Sequence, residues 1–271
     1  MTSIGNQSPT PGCFPTDISA DIDIPALRKR YRAERDKRLR ADGSTQYLEL
    51  TADLAAYSEV DPHSPFVERE PLLVEADVLI LGGEFAGLLT AVALKSAGVE
   101  DIRIIEMGGA TEISRRYAID TIEGRTGVSL FDHWRDGYKT LHGMSSHGFP
   151  NLFSTGFSQG GVAASNTAMY EQQGEHIAYI VSEALARAIA AVEPSQSAQD
   201  DGCRLITETA VANTEVETSC TPGYYNNEGG GGGEGIRSHL GEPYGPGFYA
   251  FGELLAQWRA TGNMEGMELR S

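Results

Sequence analysis

Residues 76–106 read A-D-V-L-I-L-G-G-E-F-A-G-L-L-T-A-V-A-L-K-S-A-G-V-E-D-I-R-I-I-E. A short apolar run, a glycine turn, a small-residue helix and a second apolar run ending in an acid follow one another without a gap. Val78–Leu81 predicts a strand buried on both faces, as in a parallel sheet. Phe85–Ala97 predicts a helix that Gly98 stops. Ile102–Ile105 predicts the second parallel strand. This order is the opening unit of a dinucleotide-binding α/β fold, whose turn is spelled G-x-G-x-x-G. Here the three positions hold Gly82, Glu84 and Gly87. The middle glycine normally lets backbone approach a diphosphate with no side chain in the way. A glutamate there adds bulk and sets a negative charge against a negative ligand. Glu106 stands 19 positions after Gly87, where an acid accepts hydrogen bonds from the adenosine ribose. The predicted cofactor-binding residues are therefore Gly82, Gly83, Phe85, Gly87 and Glu106. Gly230, Gly232 and Gly235 match the same pattern, but they follow no strand and read as low complexity.

The chain has 271 residues and a formal net charge of -17. That charge argues against nucleic acid as a main partner. No apolar run is long enough to cross a bilayer, and residues 1–20 lack the basic start and apolar block of a secretory signal. Three widely spaced cysteines, Cys13, Cys203 and Cys220, fit neither a disulfide framework nor a zinc site, so a cytoplasmic setting is expected. His142 and His147 stand five apart with no third ligand in view, which reads as structural; no metal site is predicted. No Ser-His-Asp order or activated cysteine follows from spacing, and no catalytic residue is assigned.

Residues 1–22 read as a disordered amino terminus. A helix over Ile24–Arg40 carries eight basic residues, with Leu27, Tyr31 and Leu39 as its apolar anchors. It opens a basic helix and arm over 23–72, in which Thr45–Pro71 is irregular. An α/β domain is expected over 73–193. Within it, Gly108–Gly127 carries turn residues and short strands, Phe153–Gly156 ends another strand, and Asn166–Ile189 is the strongest helix, with Ile177, Ile180, Val181, Ala184, Leu185, Ala188 and Ile189 on one stripe. Residues 194–271 read as a linker and carboxyl-terminal arm. Glu193–Gly202 is polar, Gly229–Gly233 is flexible, and Phe248, Phe251, Leu254, Leu255 and Trp258 form the apolar face of a last helix. The glycine-rich stretch Leu141–Gly160 leads into the amino end of the strong helix, a place that favours partial negative charge.

Several long motifs carry a resemblance. W-R-D-G-Y-K-T-L-H-G-M-S-S-H-G-F-P-N-L-F (Trp134 to Phe153) and E-Q-Q-G-E-H-I-A-Y-I-V (Glu171 to Val181) resemble the carboxyl half of Baeyer–Villiger monooxygenases. C-T-P-G-Y-Y-N-N-E-G (Cys220 to Gly229) and F-G-E-L-L-A-Q-W-R (Phe251 to Arg259) look like the tail of that family. Y-R-A-E-R-D-K-R-L-R (Tyr31 to Arg40) has a counterpart in its long-amino-terminus branch, which oxidises macrocyclic and fungal terpenoid ketones. The resemblance implies FAD bound on a Rossmann-like domain, NADPH as reductant, and a polycyclic or macrocyclic ketone as substrate. It also implies that the amino end of the helix at Asn166 faces the flavin's pyrimidine carbonyl. Tyr224, Tyr225, Asn226 and Asn227 read by themselves as lining a substrate pocket or as pinning the tail to the core.

The departures from the family bear equally on function. After I-I-E-M-G-G (Ile104 to Gly109) the expected flavin-contacting stretches do not follow. A-T-E-I-S-R-R-Y (Ala110 to Tyr117) instead resembles text far downstream. The chain reads as two ends joined near 109–111 across a missing NADPH-binding domain, without the family fingerprint F-x-G-x-x-x-H-x-x-x-W and without the arginine placed beside the flavin. A shortened FAD-dependent monooxygenase is the first reading. The others are an inactive remnant associating with an intact homologue, and an incorrect gene model.

Overall fold

The computed structural model describes residues 23–46, 75–105, 122–211, 220–223, 228–229 and 241–271. Glu106, the joint near 109–111, Tyr224–Asn227, Gly230–Gly233, residues 1–22 and most of the irregular arm lie outside the described residues. The chain divides into two compact units, residues 1–47 with 213–232, and residues 48–212 with 233–271.

In the first unit, α1 spans Ile24–Asp36. Asp23 caps it by accepting from the Ala26 amide at 3.0 Å, and Pro25 sits in its first turn, where no amide is needed. It ends four residues before Arg40, with Lys37 as its carboxyl cap. Arg35 donates to the Gly229 carbonyl at 3.0 Å. Leu27, Tyr31 and Leu39 are all exposed.

The second unit is built around the crossover read from the sequence. β1 (Val78–Leu81) pairs in parallel with β2 (Ile102–Ile105), Val78 opposite Ile102 and Leu81 opposite Ile105. α2 (Phe85–Ser96) connects them. A chain of α3 (Leu130–His133), α4 (Asn166–Ala186), β3 (Ala191–Pro194), α5 (Gln196–Thr209), α6 (Phe248–Ala260) and β4 (Met267–Arg270) follows. β3 and β4 form a second, antiparallel sheet, Ala191 opposite Arg270.

α4 is the spine of this unit because its apolar residues face three ways. Ile177 joins Met144, Phe251 and Leu255. Ile180 and Ala184 join Val192 and Met264. Ala178 joins Leu94 and Val99 beneath Val78, Ile80 and Ile102. Each such fully buried aliphatic side chain contributes about 1.5–3 kcal/mol. α2 and α4 touch closely at a glycine: a Cβ on Gly174 would lie 3.1 Å from Thr90 Cα. α4 stops at Ala186 rather than Ile189. Ala188 turns left-handed (φ 52°), and Ile189 and Ala188 donate back to Ala184 and Leu185 at 2.9 and 3.1 Å. This is a Schellman closure, with Ile189 folding back as its apolar contact.

Three further expectations change. β1 is not buried on both faces: Leu79 and Leu81 are 55% and 51% exposed, as is Ile105 at 48%, because only one face of the β1–β2 pair meets α2 and α4 among the described residues. Phe153–Gly156 is not a strand; the Ser154 amide donates to Met144 O at 2.8 Å and the Gly156 amide to the Gln173 side chain at 3.1 Å, so no ladder forms. Residues read as a polar linker from Glu193 form the end of β3 and the start of α5, which Ser195 caps by accepting from the Ala198 amide at 3.2 Å.

Candidate functional site

The predicted glycine turn lies at the carboxyl end of β1. The Gly82 amide donates to Ile105 O at 2.9 Å, tying the turn to the end of β2. Gly82 then takes φ 106°, a backbone state that side chains rarely adopt. Gly87 meets the turn from the helix side: a Cβ there would lie 1.9 Å from Gly82 O and 3.2 Å from Ile80 Cγ2. Glycine at 87 is therefore what allows α2 to seat against β1. The first helical bond, Leu88 amide to Glu84 O at 2.9 Å, starts α2 one residue after Glu84.

Glu84 is the N-cap of α2, with extended backbone (φ -76°, ψ -173°) and no side-chain cap bond. Any residue adopts that backbone, so a glycine at this position supplies space rather than conformational freedom. The first turn of α2 carries no acid, and its basic residue, Lys95, lies in the last turn, where it pairs with Glu100. Unpaired amides and the helix dipole make the amino end electropositive, and the Glu84 carboxylate is the charge set against it. Gly82, Gly83, Phe85 and Gly87 are thus brought to one turn, with Phe85 67% exposed beside it. Glu106 lies outside the described residues. The backbone of this turn fits the diphosphate of a dinucleotide; the side chain at 84 does not fit a bare one.

The amino end of α4 is also open. Its N-cap Ser165 makes no cap bond and its first turn holds no acid; the Ser165 and Thr167 hydroxyls bond each other at 2.9 Å.

The histidines resolve into two structural networks. His147 bonds through Nδ1 to Pro194 O at 2.9 Å, and its Nε2 meets Arg125 at 3.2 Å. Its amide donates to the Gln199 side chain at 2.8 Å. His142 Nδ1 lies 3.2 Å from His176 Nε2, and Arg259 reaches His176 Nδ1 at 3.5 Å. Arginine can only donate, so His176 Nδ1 accepts and its Nε2 carries the hydrogen toward His142. Burial lowers the His142 pKa to about 4. It takes His176 well below its ordinary value, with His142 and Arg259 adding to the effect. No group of three metal-ligating side chains occurs among the described residues.

Sequence reading missed the Glu193 clamp. This carboxylate is wholly buried and accepts from Arg125 at 3.0 Å, from Arg270 and from the Gly148 amide at 2.5 Å. Burial pushes its pKa up, but Arg270, the Gly148 amide and Arg125 outweigh that and hold it below the usual carboxylate value. Ser195, a cap residue two positions on, was the one local sign that an element follows Glu193. A cavity of about 20 Å³ lined by Thr140, His142, Gln159, Tyr244 and Phe251 has room for a single water.

A parallel βαβ crossover with a left-handed Gly82 and a close-packed Gly87 defines the class of dinucleotide-binding folds. Comparison with known proteins narrows the class: the homologues of this chain are FAD-binding monooxygenases of the Baeyer–Villiger type. Neopentalenolactone D synthase of Streptomyces avermitilis is 32% identical over 270 residues, covering 94% of this chain and 44% of the relative. A Baeyer–Villiger monooxygenase of Streptomyces coelicolor is 39% identical over 144 residues, 51% of this chain and 22% of the relative. Among solved structures, the polycyclic ketone monooxygenase of Thermothelomyces thermophila is 35% identical with a TM-score of 0.51, over 55% of this chain and 24% of that one. The chain therefore spans less than half the length of these relatives. No family model matches it. No described helix is long and apolar enough to cross a membrane.

Proposed function

We propose that this chain is a shortened FAD-dependent monooxygenase of the Baeyer–Villiger type, related to enzymes that oxidise bulky cyclic ketones in secondary metabolism. The observation that supports the reading is the turn itself, where Gly82 takes a positive φ, Gly87 lets α2 seat against β1 and the Glu84 N-cap makes no side-chain cap bond. Gly82, Gly83, Phe85 and Gly87 would hold the ADP half, with Glu106 accepting from the ribose. The open amino end of α4 would face the electron-rich edge of the isoalloxazine. FAD, when bound, supplies oxygen activation; the residues here bind and orient it. NADPH is the family's reductant, and the residues described here assign no site to it. A cytoplasmic setting and the domain limits 23–72, 73–193 and 194–271 belong to the same reading, Cys203 and Cys220 being free thiols.

The chain's span of less than half its relatives' length favours a second reading, a remnant that does not turn over alone and associates with an intact homologue. The purified protein separates the two. A yellow protein whose flavin band bleaches rapidly on NADPH addition supports the enzyme. A protein that stays colourless after incubation with FAD removes it. Yellow protein that bleaches only when an intact homologue is added supports the remnant.

A further inference from the structure

α1 is formed but uncovered. None of its residues is buried, and every residue from Ile24 to Ala33 is exposed. A helix of 13 residues gains little stability in water from propensity alone; most of its hold comes from an apolar face pressed on something else. α1 has such a face. Ile24, Leu27 and Tyr31 recur at intervals of three and four, on one stripe of the helix, and they are 55%, 41% and 60% exposed. Arg30 and Arg32 flank Tyr31 on either side, each a rotation of about 100° away. Four of the ten residues from Ile24 to Ala33 are basic and none is acidic. The acids come later, and the carboxyl-terminal bases take them up. Glu34 pairs with Lys37 and Arg38 at 2.6 and 3.0 Å, and Asp42 pairs with Arg40. Lys29, Arg30 and Arg32 form no ion pair among the described residues.

We propose that α1 is a docking surface for an anionic lipid bilayer, lying in the headgroup plane with Ile24, Leu27 and Tyr31 turned inward. The pattern is that of an interfacial helix: low apolar content, a narrow apolar stripe, and basic residues over the rest of the surface. Long basic side chains lay their stems along an apolar surface and keep the charge in water, at the level of the lipid phosphates. A helix held in a protein groove is gripped by large apolar anchors. Here the stripe holds three, one of them a tyrosine, so charge has the greater share. An anionic leaflet supplies the opposite charge in a plane that both flanks of the stripe reach. The chain's net charge of -17 acts weakly on this contact, because charges beyond about 8 Å are largely screened at physiological ionic strength and α1 is about 20 Å long. No described helix is long and apolar enough to span a membrane; α1 lies on one. It belongs to the unit without the glycine turn, so lipid binding and FAD binding can fail separately.

The test is sedimentation of the full chain with sucrose-loaded vesicles, of phosphatidylcholine alone and of phosphatidylcholine with about 30% phosphatidylserine. Binding to the anionic vesicles is expected to be about tenfold or more tighter than to the neutral ones, and to weaken about tenfold from about 0.05 M to about 0.5 M salt. Lys29→Gln, Arg30→Gln and Arg32→Gln combined should remove the preference for anionic lipid. Leu27→Gln with Tyr31→Gln keeps the charge and should weaken binding about tenfold. All five positions are exposed, so without lipid both variants should melt as the wild type does. A lowered melting temperature in either would place these side chains in a protein contact and overturn the proposal. Equal sedimentation with both kinds of vesicle, or none with either, also overturns it. So does a preference for anionic lipid that survives in the triple variant. Self-association without lipid that the triple variant abolishes would assign the face to a second copy of the chain and overturn it.

Discussion

Glu193 shows how a single buried charge can hold distant parts of a chain. Its oxygens are out of water, and the groups that compensate them come from 68, 77 and 45 positions away: Arg125, Arg270 and the Gly148 amide. Replacing Glu193 with alanine would strand two guanidinium groups and a backbone donor. Because both arginines are about 40% exposed, water recovers part of the loss, so a cost of about 3 kcal/mol is expected, the low end for a broken buried pair. Equilibrium denaturation at neutral pH measures it; a change within experimental error would refute the clamp. The same residue gives an acid dependence. Its folded pKa lies below the unfolded value, so its contribution is present above the usual carboxylate pKa and is lost as pH falls through the folded one. Gly87→Ala is the companion test at the glycine turn. With its Cβ placed 1.9 Å from Gly82 O, α2 must move off β1 at a cost of about 1–3 kcal/mol, and FAD affinity should fall with it.

Elements were legible wherever their cause was local. α2, β1 and β2 could be read because the glycines, the apolar runs and the helix periodicity all lie within one stretch of 31 residues. β3 and β4 could not. Each is four residues long, each mixes charge with apolar residues, and each is a strand only because the other lies beside it some 70 positions away. Likewise the Asn166–Ala186 helix announced itself, but His176 within it gained meaning only when His142, Trp258 and Arg259 arrived from other segments. That cluster joins the turn at 141–145, α4 and α6. Both histidines are held neutral, with folded pKa values below the unfolded one. Their contribution is therefore complete above about pH 6.5 and is withdrawn as pH falls toward about 4. Melting temperature should drop across that window. His142→Leu, which leaves His176 without its acceptor but removes one protonation site, should flatten the drop while lowering stability at pH 7.5. An unchanged pH profile in that variant would show that other groups set the acid limit.

At the scale of the molecule, the described parts of the second unit leave its parallel sheet half dressed. Parallel strands are ordinarily covered on both faces. Here α2 and α4 cover one face, while Leu79, Leu81 and Ile105 stand about half exposed on the other, and Phe85, Leu88 and Val92 form an open stripe along α2. The continuous apolar spelling of β1 anticipated a partner layer that the described residues do not supply, and the short span against longer relatives has the same sense. Two consequences can be measured together. Leu79→Thr with Leu81→Lys should reduce hydrophobic-dye binding and slow aggregation, yet change unfolding free energy by no more than about 0.5 kcal/mol, because side chains already in water lose little on becoming polar. A large destabilisation would mean that this face is covered in solution. The cofactor should act on the same equilibrium from the other side. If the turn binds FAD, ligand at about a hundred times its Kd raises unfolding free energy by about 2.7 kcal/mol, and the β1–α2–β2 amides should gain the most protection from hydrogen exchange. Protection confined to other elements would move the site away from Gly82.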